Sequence, residues 1–112
     1  EPSGYARFFY ESSVQWRKDY THNLFFLKAQ QNYANDLLKT QGHVFLNEVY
    51  DMLNLPRSSA GALVGWVYEG DDIGDNYIDF GIYAPENVDA VNGYTKRFLL
   101  DFNVDGVIYD AI

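Results

Sequence analysis

Three oxygen-bearing side chains near the end of the chain have a spacing that could bind a metal ion. Asp101, Asn103 and Asp105 alternate with apolar residues, and Gly106 follows directly. A helix–loop–helix calcium site takes oxygen ligands from positions 1, 3 and 5 of its loop and needs glycine at position 6 for the turn. The segment matches the first half of such a loop and suggests a calcium site formed by Asp101, Asn103 and Asp105.

The second half of that motif does not follow. Position 9 is Tyr109, and position 12, where a bidentate carboxylate is needed, is Ile112. The segment also predicts a β-hairpin, because Asp105-Gly106 lies between alternating apolar residues and glycine tolerates the positive φ of a tight turn. We favour the hairpin and keep calcium binding as the alternative.

A second acidic segment, at residues 70–76, could also hold a cation. It contains Asp71, Asp72, Asp75 and Asn76, and hard cations bind clustered oxygen atoms. Asp, Asn and Gly are also the usual residues of turns. We therefore predict a solvated loop that joins two strands, with cation binding as the alternative.

Patterns of catalytic chemistry do not occur in the sequence. The two histidines, His22 and His43, have no partner at the spacing of a zinc motif, and there is no cysteine. The sequence contains no G-x-S-x-G nucleophile turn and no glycine-rich phosphate loop. We therefore expect a protein that is not an enzyme and has no cofactor, apart from the calcium ion of the alternative interpretation.

Negative charge is concentrated in the second half of the chain. The formal net charge is −8. Residues 1–57 contain six acidic and six basic residues, whereas residues 58–112 contain ten acidic and two basic residues. Such a surface repels the phosphate backbone of nucleic acids. We expect a protein partner or self-assembly, and no nucleic acid.

The helices that must position these residues lie in the first half. Apolar residues recur at three-to-four spacing, at Leu24, Leu27, Ala34 and Leu38, and the stripe is widened by Phe26, Ala29, Tyr33 and Leu37. Polar residues fill the other side, at Lys28, Gln31, Asn35 and Lys39. This pattern predicts a helix over residues 21–41 that Gly42 ends. A second helix is predicted over about 44–54, ended by Pro56.

After these helices the periodicity changes to two. Four strands are expected, at residues 63–69, 77–83, 94–102 and 107–111. The first two would form a hairpin closed by the acidic loop, with Ile78, Phe80 and Ile82 on one face. The prediction is an α+β domain in which an N-terminal helix pair packs on a mainly antiparallel four-stranded sheet.

The first sixteen residues contain five aromatic side chains after a linker-like Pro-Ser-Gly segment. The aromatic residues are Tyr5, Phe8, Phe9, Tyr10 and Trp16. We predict that residues 1–16 form an aromatic arm at the end of a linker and that residues 17–112 form a single α+β domain. The five aromatic residues are the predicted interaction residues, because aromatic side chains are enriched at protein interfaces.

Six segments are distinctive when taken together: YARFF, NLFFLKAQQNYANDLL, GHVFLNEVYDMLNLPRSSAGALVGWVY, DNYIDFGIY, VNGY and LLDFNVDGVIYD. This combination resembles an uncharacterised domain family of bacteriophages and prophages, largely of Firmicutes. The resemblance covers nearly all of residues 3–112, although this chain has Asn54 where glycine is usual. It implies a C-terminal domain that follows an N-terminal part with membrane-spanning helices, and it assigns no catalytic residues.

These observations lead to three functional hypotheses. The first is a non-catalytic, phage-encoded protein-interaction or structural module, tethered to a membrane-associated N-terminal part or held in a virion assembly. The alternatives are a calcium-dependent binding module that uses residues 101–106, and a phage counter-defence protein that sequesters a host ligand or protein. The residues leave the compartment open. The resemblance implies the virion or the infected cell, including its inner membrane, which only the missing N-terminal segment would contact.

Overall fold

The protein has an α+β fold, seen in a computed structural model that describes residues 3–10, 13, 15–69, 74–95 and 97–112, without the side chains of Tyr10 and Tyr20. The α-helices are α1 (Tyr20–Gln41), α2 (Leu46–Met52) and α3 (Val88–Val91). The strands are β1 (Arg7–Tyr10), β2 (His43–Phe45), β3 (Val64–Val67), β4 (Arg97–Leu100) and β5 (Gly106–Val107). Short 3-10 helices lie at Ala60–Ala62, Pro85–Asn87 and Tyr109–Ala111.

The strands form two small antiparallel sheets, so the prediction of one four-stranded sheet is wrong. In the first sheet β1 pairs with β4, with Phe9 opposite Phe98. In the second sheet β3 lies between β2 and β5, with Val44 opposite Trp66. Two of these strands, β1 and β2, come from segments expected to be an arm and a helix, whereas residues 77–83 supply no strand.

Helix α1 agrees with its predicted range to within one residue. Asp19 caps its N-terminus, since the carboxylate accepts hydrogen bonds from the N–H groups of Thr21 and His22. Gly42 ends the helix in the left-handed conformation, with φ of 83°, and its N–H donates to the Leu38 carbonyl. Both ends are therefore fixed by single residues, and α1 is a long, stable support for the segments that pack on it.

Helix α2 is shorter than predicted. The residues before Leu46 pair with β3 as strand β2, so the helix begins two residues later than expected. Glu48 accepts the N–H of Phe45 at 2.8 Å, which satisfies a donor at the start of the helix. Just after the helix, Asn54 adopts φ of 56°. Asparagine tolerates this left-handed conformation better than most residues, so it can replace the glycine expected there.

One hydrophobic core joins both sheets to α1 and α2. Its largest fully buried side chains are Trp66, Tyr50, Phe9, Phe80 and Phe98. Phe102 makes T-shaped ring contacts with Tyr50 and Phe80, at centroid distances of 5.8 and 5.4 Å. Part of the high aromatic content therefore serves packing, because such ring pairs add to the stabilisation from buried area.

The last fifteen residues do not form the predicted hairpin. Strand β4 pairs with β1 and strand β5 pairs with β3, so the chain crosses from one sheet to the other between Leu100 and Gly106. Asp105 donates its N–H to the carbonyl of Gly65 at 2.8 Å. Gly106 has φ of 139°, a conformation that favours glycine. The glycine therefore serves the entry into β5 and not a tight turn.

Four asparagines share a hydrogen-bond arrangement that we call an asparagine clamp, in which one amide binds both the N–H and the C=O of a single backbone residue. The clamps join Asn23 to Arg17, Asn35 to Ile78, Asn47 to Ser58, and Asn87 to Leu99, with distances between 2.7 and 3.0 Å. A neighbouring strand satisfies backbone groups in the same way. The clamps therefore hold backbone segments that, among the described residues, have no strand partner on that side.

Residues 77–83 show how the clamps replace a strand. The predicted alternation is correct for burial: Ile78, Phe80 and Ile82 are buried, and Tyr77 and Tyr83 are exposed. The segment is nevertheless not a strand. The predicted hairpin with residues 63–69 is therefore wrong.

Side-chain amides supply the hydrogen bonds that this hairpin would have made. Asn35 clamps Ile78, and the Oε1 atom of Gln31 accepts the N–H of Phe80 at 2.8 Å. Gln31 and Asn35 lie one turn apart on α1, so they face the same side of the helix. The segment therefore lies along α1, where a sheet was expected.

Tyr50 ties the N-terminal segment to α2. Its hydroxyl donates to the Tyr5 carbonyl at 2.8 Å, and the Arg7 guanidinium lies 4.9 Å from the centroid of its ring. Burial raises the pKa of the Tyr50 hydroxyl above its ordinary value, and the charge of Arg7 opposes part of that effect. The protonated hydroxyl is therefore the form that the folded state favours.

Replacing Tyr50 with phenylalanine is expected to lower the free energy of unfolding by about 1–2 kcal/mol, because the Tyr5 carbonyl loses its donor. Since folding raises this pKa, the contribution is complete below the unfolded pKa and is lost as pH rises through the folded pKa. Urea denaturation at neutral pH and above about pH 10 should show that the free energy of unfolding falls less at alkaline pH in the variant than in the unmodified protein. Tyr94→Phe, at an exposed position, is the control. Equal alkaline losses in Tyr50→Phe and in the unmodified protein would contradict this role.

Candidate interaction site

The predicted metal ligands lie on the connection between β4 and β5. Two of them, Asp101 and Asp105, accept hydrogen bonds from other parts of the chain. Asp101 accepts hydrogen bonds from the N–H and the hydroxyl of Ser3, at 3.2 and 2.6 Å. Asp105 accepts the N–H of Val67 at 3.0 Å. Among the described residues, no group of three or more His, Cys, Asp or Glu side chains is placed to hold a metal ion. Calcium binding by this segment stays a prediction.

Asn103 is the most connected of the three predicted ligands. Its Oδ1 atom accepts the indole N–H of Trp66 at 3.0 Å and the N–H of Asp79 at 2.7 Å. Its Nδ2 atom donates to the Asp75 carboxylate at 2.9 Å and to the Tyr77 carbonyl at 3.1 Å. The amide has two donors and two acceptor positions, and all of them are used. Asn103 therefore fastens β3 to residues 75–79.

The second predicted cation segment is only partly described, since Asp71 and Asp72 lie outside the described residues. Asp75 accepts its hydrogen bond from Asn103, and Asn76 accepts the N–H of Glu69 at 2.7 Å. Asn76 has φ of 59°, which is typical of a turn. Cation binding by this segment also stays a prediction.

The predicted aromatic arm is partly a strand, because β1 pairs with β4. Phe9 faces inward and is fully buried. Its ring contacts Phe26 at 5.7 Å and Trp16 at 5.5 Å. Phe9 is therefore a core residue and does not contribute to an exposed contact surface.

The other predicted interaction residues differ in exposure. Tyr5 and Trp16 are partly buried against the core. Phe8 is 46% exposed, and the Arg97 guanidinium lies 4.7 Å from its ring centroid. The side chain of Tyr10 lies outside the described part of the chain. Of the predicted interaction residues whose side chains are described, Phe8 is therefore the most exposed.

A larger aromatic surface lies between α1 and residues 77–84, in a shallow groove that we call the aromatic groove. It has a volume of about 440 Å³ and is lined by Gln31, Tyr77, Asp79, Gly81, Ile82, Tyr83 and Ala84. Tyr77 and Tyr83 are 49% and 61% exposed. Apolar rings beside a few fixed polar groups are the usual composition of a binding site.

Two polar side chains of the aromatic groove are held at one atom and free at another. Gln31 uses Oε1 to accept the N–H of Phe80, and Asp79 uses Oδ1 to accept the N–H of Gly81 at 2.8 Å. Within the described part of the chain, Gln31 Nε2 and Asp79 Oδ2 have no hydrogen-bond partner. The groove therefore presents one donor and one acceptor from side chains that are already fixed in place.

Lys28 of α1 lies beside Tyr83, at the rim of the aromatic groove, and also beside the exposed ring of Phe25. The Lys28 ammonium lies 5.9 Å from the ring centroid of Phe25 and 5.9 Å from that of Tyr83. A cation is attracted to an aromatic face at up to about 6 Å. These rings therefore already interact with a positive charge of the protein itself.

This surface is not predicted by the sequence patterns. The predicted polar face of α1 includes Lys28 and Gln31, Phe25 has no predicted role, and the predicted apolar stripe includes Tyr33, although that side chain is 55% exposed. One signal was available, because Phe25 precedes Lys28 by three residues and so lies on the polar side of α1. The alternation of residues 77–83 also indicated that Tyr83 is exposed, but no local pattern indicated that it lies beside α1.

The fold and site define a small α+β domain with an exposed aromatic groove. A family model matches residues 2–112, and the chain belongs to that family, described as a family of unknown function (DUF6353). This confirms the predicted membership in an uncharacterised domain family. Neither the curated proteins nor the solved structures contain a match to the chain. Within the described residues, none of the helices combines the length and apolar character needed to cross a membrane.

Proposed function

We propose that this domain is a non-catalytic protein-interaction module that binds a segment of a partner protein in the aromatic groove. The observation that carries the proposal is the exposure of Tyr77 and Tyr83 in the groove together with the free polar atoms of Gln31 and Asp79. Exposed aromatic side chains are enriched at protein interfaces and often supply most of the binding energy. A groove of this composition suits a peptide segment that offers both apolar and polar groups.

The rigidity of the groove supports the same proposal. Asn35 clamps Ile78, Gln31 holds Phe80, and Asn103 holds Asp79, so successive residues of one wall are fixed. A surface that is ordered before binding loses less conformational entropy when a partner arrives. The wall can therefore contribute affinity although no strand stabilises it.

The origin and tethering expected from the sequence are part of this proposal. A phage-encoded module, held by a membrane-associated N-terminal part or within a virion assembly, would need a surface for a protein partner. That part of the proposal rests on the resemblance of the sequence. The binding groove is supported by contacts and exposure of its own residues.

Replacing Tyr77 and Tyr83 together with serine is expected to reduce partner binding by about tenfold or more, because truncating aromatic contacts at the centre of an interface commonly costs over 1 kcal/mol each. The matched control replaces two other exposed tyrosines, Tyr94 and Tyr109, with serine. The measurement is crosslinking in cells that express the full-length protein, followed by quantitative mass spectrometry.

Both double variants should keep the unfolding midpoint of the unmodified protein, since all four side chains are exposed. The proposal requires that one set of crosslinked proteins is lost in the groove variant and kept in the control. If both variants retain the same crosslinked proteins in equal amounts, the groove is not the contact surface.

A further inference from the structure

We infer that the aromatic groove accepts the side chain of a basic residue, arginine above all, from the partner segment. This inference rests on the proposed function and names the chemistry of the group that enters the groove. It follows from the charge that lines the groove, from the cation already placed at its rim and from the charge of the whole chain.

The charge that lines the groove is negative. Of the described residues that line it, Asp79 alone carries a charge. One of its oxygens accepts the N–H of Gly81, and the other has no partner in the described part of the chain. A guanidinium or ammonium group would form a charge-assisted hydrogen bond with that free oxygen, roughly twice as strong as a neutral one. A neutral side chain would lack this contribution.

The rim shows how the rings interact with a cation. Lys28 does not line the groove, yet its ammonium lies equally far from the rings of Phe25 and Tyr83. A guanidinium is planar and more weakly hydrated than an ammonium, so it stacks on aromatic faces more readily. An incoming arginine can therefore use the tyrosine faces that Lys28 leaves open.

The charge of the whole chain acts in the same direction. The net charge is −8, and the second half of the chain, which supplies Tyr77, Asp79 and Tyr83, has ten acidic and two basic residues. A field of this sign attracts basic segments and repels acidic ones before contact is made. The partner segment is therefore basic.

Two short peptides test the inference with the full chain. Acetyl-Gly-Arg-Gly-amide provides the cation, and the same peptide with citrulline provides a neutral side chain of nearly the same shape. In titrations followed by nitrogen-15 NMR, the arginine peptide should shift the amide signals of Asp79, Gly81 and Tyr83. The citrulline peptide should bind about tenfold more weakly, because it lacks the charge.

Single substitutions test which side chains cause the preference for the arginine peptide. Asp79→Asn keeps the oxygen that accepts from Gly81 but removes the charge. It should weaken binding of the arginine peptide about tenfold, to the affinity of the citrulline peptide. Lys28→Met removes the competing cation and should strengthen binding of the arginine peptide. Tyr94→Ser, at an exposed position not among the residues that line the groove, should change neither peptide.

Several outcomes would overturn the inference: equal affinity for the two peptides, no binding of either one, shifts confined to residues outside the groove, or no effect of Asp79→Asn on a well-folded protein. These outcomes are distinct from failure of the proposed function. If crosslinking depends on Tyr77 and Tyr83 but the peptides show no preference for arginine, only the inference of a basic group is refuted. If crosslinking is independent of both tyrosines, the proposal that the groove is the contact surface is refuted.

Discussion

A chain with alanine in place of Gly65 is expected to lose about 3 kcal/mol or more of its free energy of unfolding, a large part of the stability of a small domain. A Cβ atom at this position would lie 2.0 Å from the carbonyl oxygen of Val44 and 2.8 Å from the Cα atom of Phe45. Both are backbone atoms, so no side-chain rotation can relieve the contact. Strands β2 and β3 would have to separate, which would disturb the buried Trp66 of β3.

Urea denaturation followed by tryptophan fluorescence measures this loss. The matched control is Gly4→Ala, because a Cβ atom added at Gly4 meets no atom within 4 Å. The midpoint should fall strongly for Gly65→Ala and stay unchanged for the control. An unchanged midpoint for Gly65→Ala would mean that β2 and β3 do not approach each other as closely as described.

Replacing Asn103 with aspartate is expected to lower the free energy of unfolding by about 2–4 kcal/mol, the second large effect. The Nδ2 atom of Asn103 donates to the Asp75 carboxylate and to the Tyr77 carbonyl. A carboxylate at this position has no proton to donate at neutral pH. It would leave the carbonyl without its donor and place a second negative charge beside Asp75.

The same variant separates this hydrogen-bond role from the calcium hypothesis. In a calcium loop, an extra carboxylate at the third position would supply a further charged ligand, and millimolar calcium should then raise the melting midpoint. The hydrogen-bond role predicts a lower midpoint that calcium does not restore. Thermal melts in EDTA and in calcium distinguish the two, with exposed Asn32→Asp as the control. If calcium restores the melting midpoint of Asn103→Asp and does not change that of Asn32→Asp, a cation site exists at residues 101–106.

The signals that were sufficient for prediction are local ones. Helix α1 was predicted to within one residue because its apolar spacing and its Gly42 stop are contiguous in the sequence. The burial of Ile78, Phe80 and Ile82 was also correct, because alternation reports which side of an extended segment faces the core. Alternation does not indicate which groups form hydrogen bonds with the backbone. It therefore could not distinguish a strand at residues 77–83 from an extended segment bonded by side-chain amides.

The sheets and the groove depend on contacts between distant parts of the chain. Strand β1 pairs with β4 across most of the sequence, and no local pattern specifies such a partner. The motif at residues 101–106 was recognised, but Asn103 has the geometry of a bridging amide, and that role depends on Trp66 and Asp79. The aromatic groove needs α1 and residues 77–84 to meet, which the amides of Gln31 and Asn35 bring about.

The clamp on Leu99 has a consequence for association between chains. The N–H and C=O of Leu99 both bind Asn87, so they point away from β1, toward the outer edge of β4. An open edge of this kind is a template on which another molecule can add a strand, the first step of edge-to-edge aggregation. Other proteins block such edges with lysine, proline or a bulge. Here the amide of Asn87, itself almost completely buried, occupies both the N–H and the C=O of Leu99, so an added strand from another molecule cannot pair with this residue of the edge.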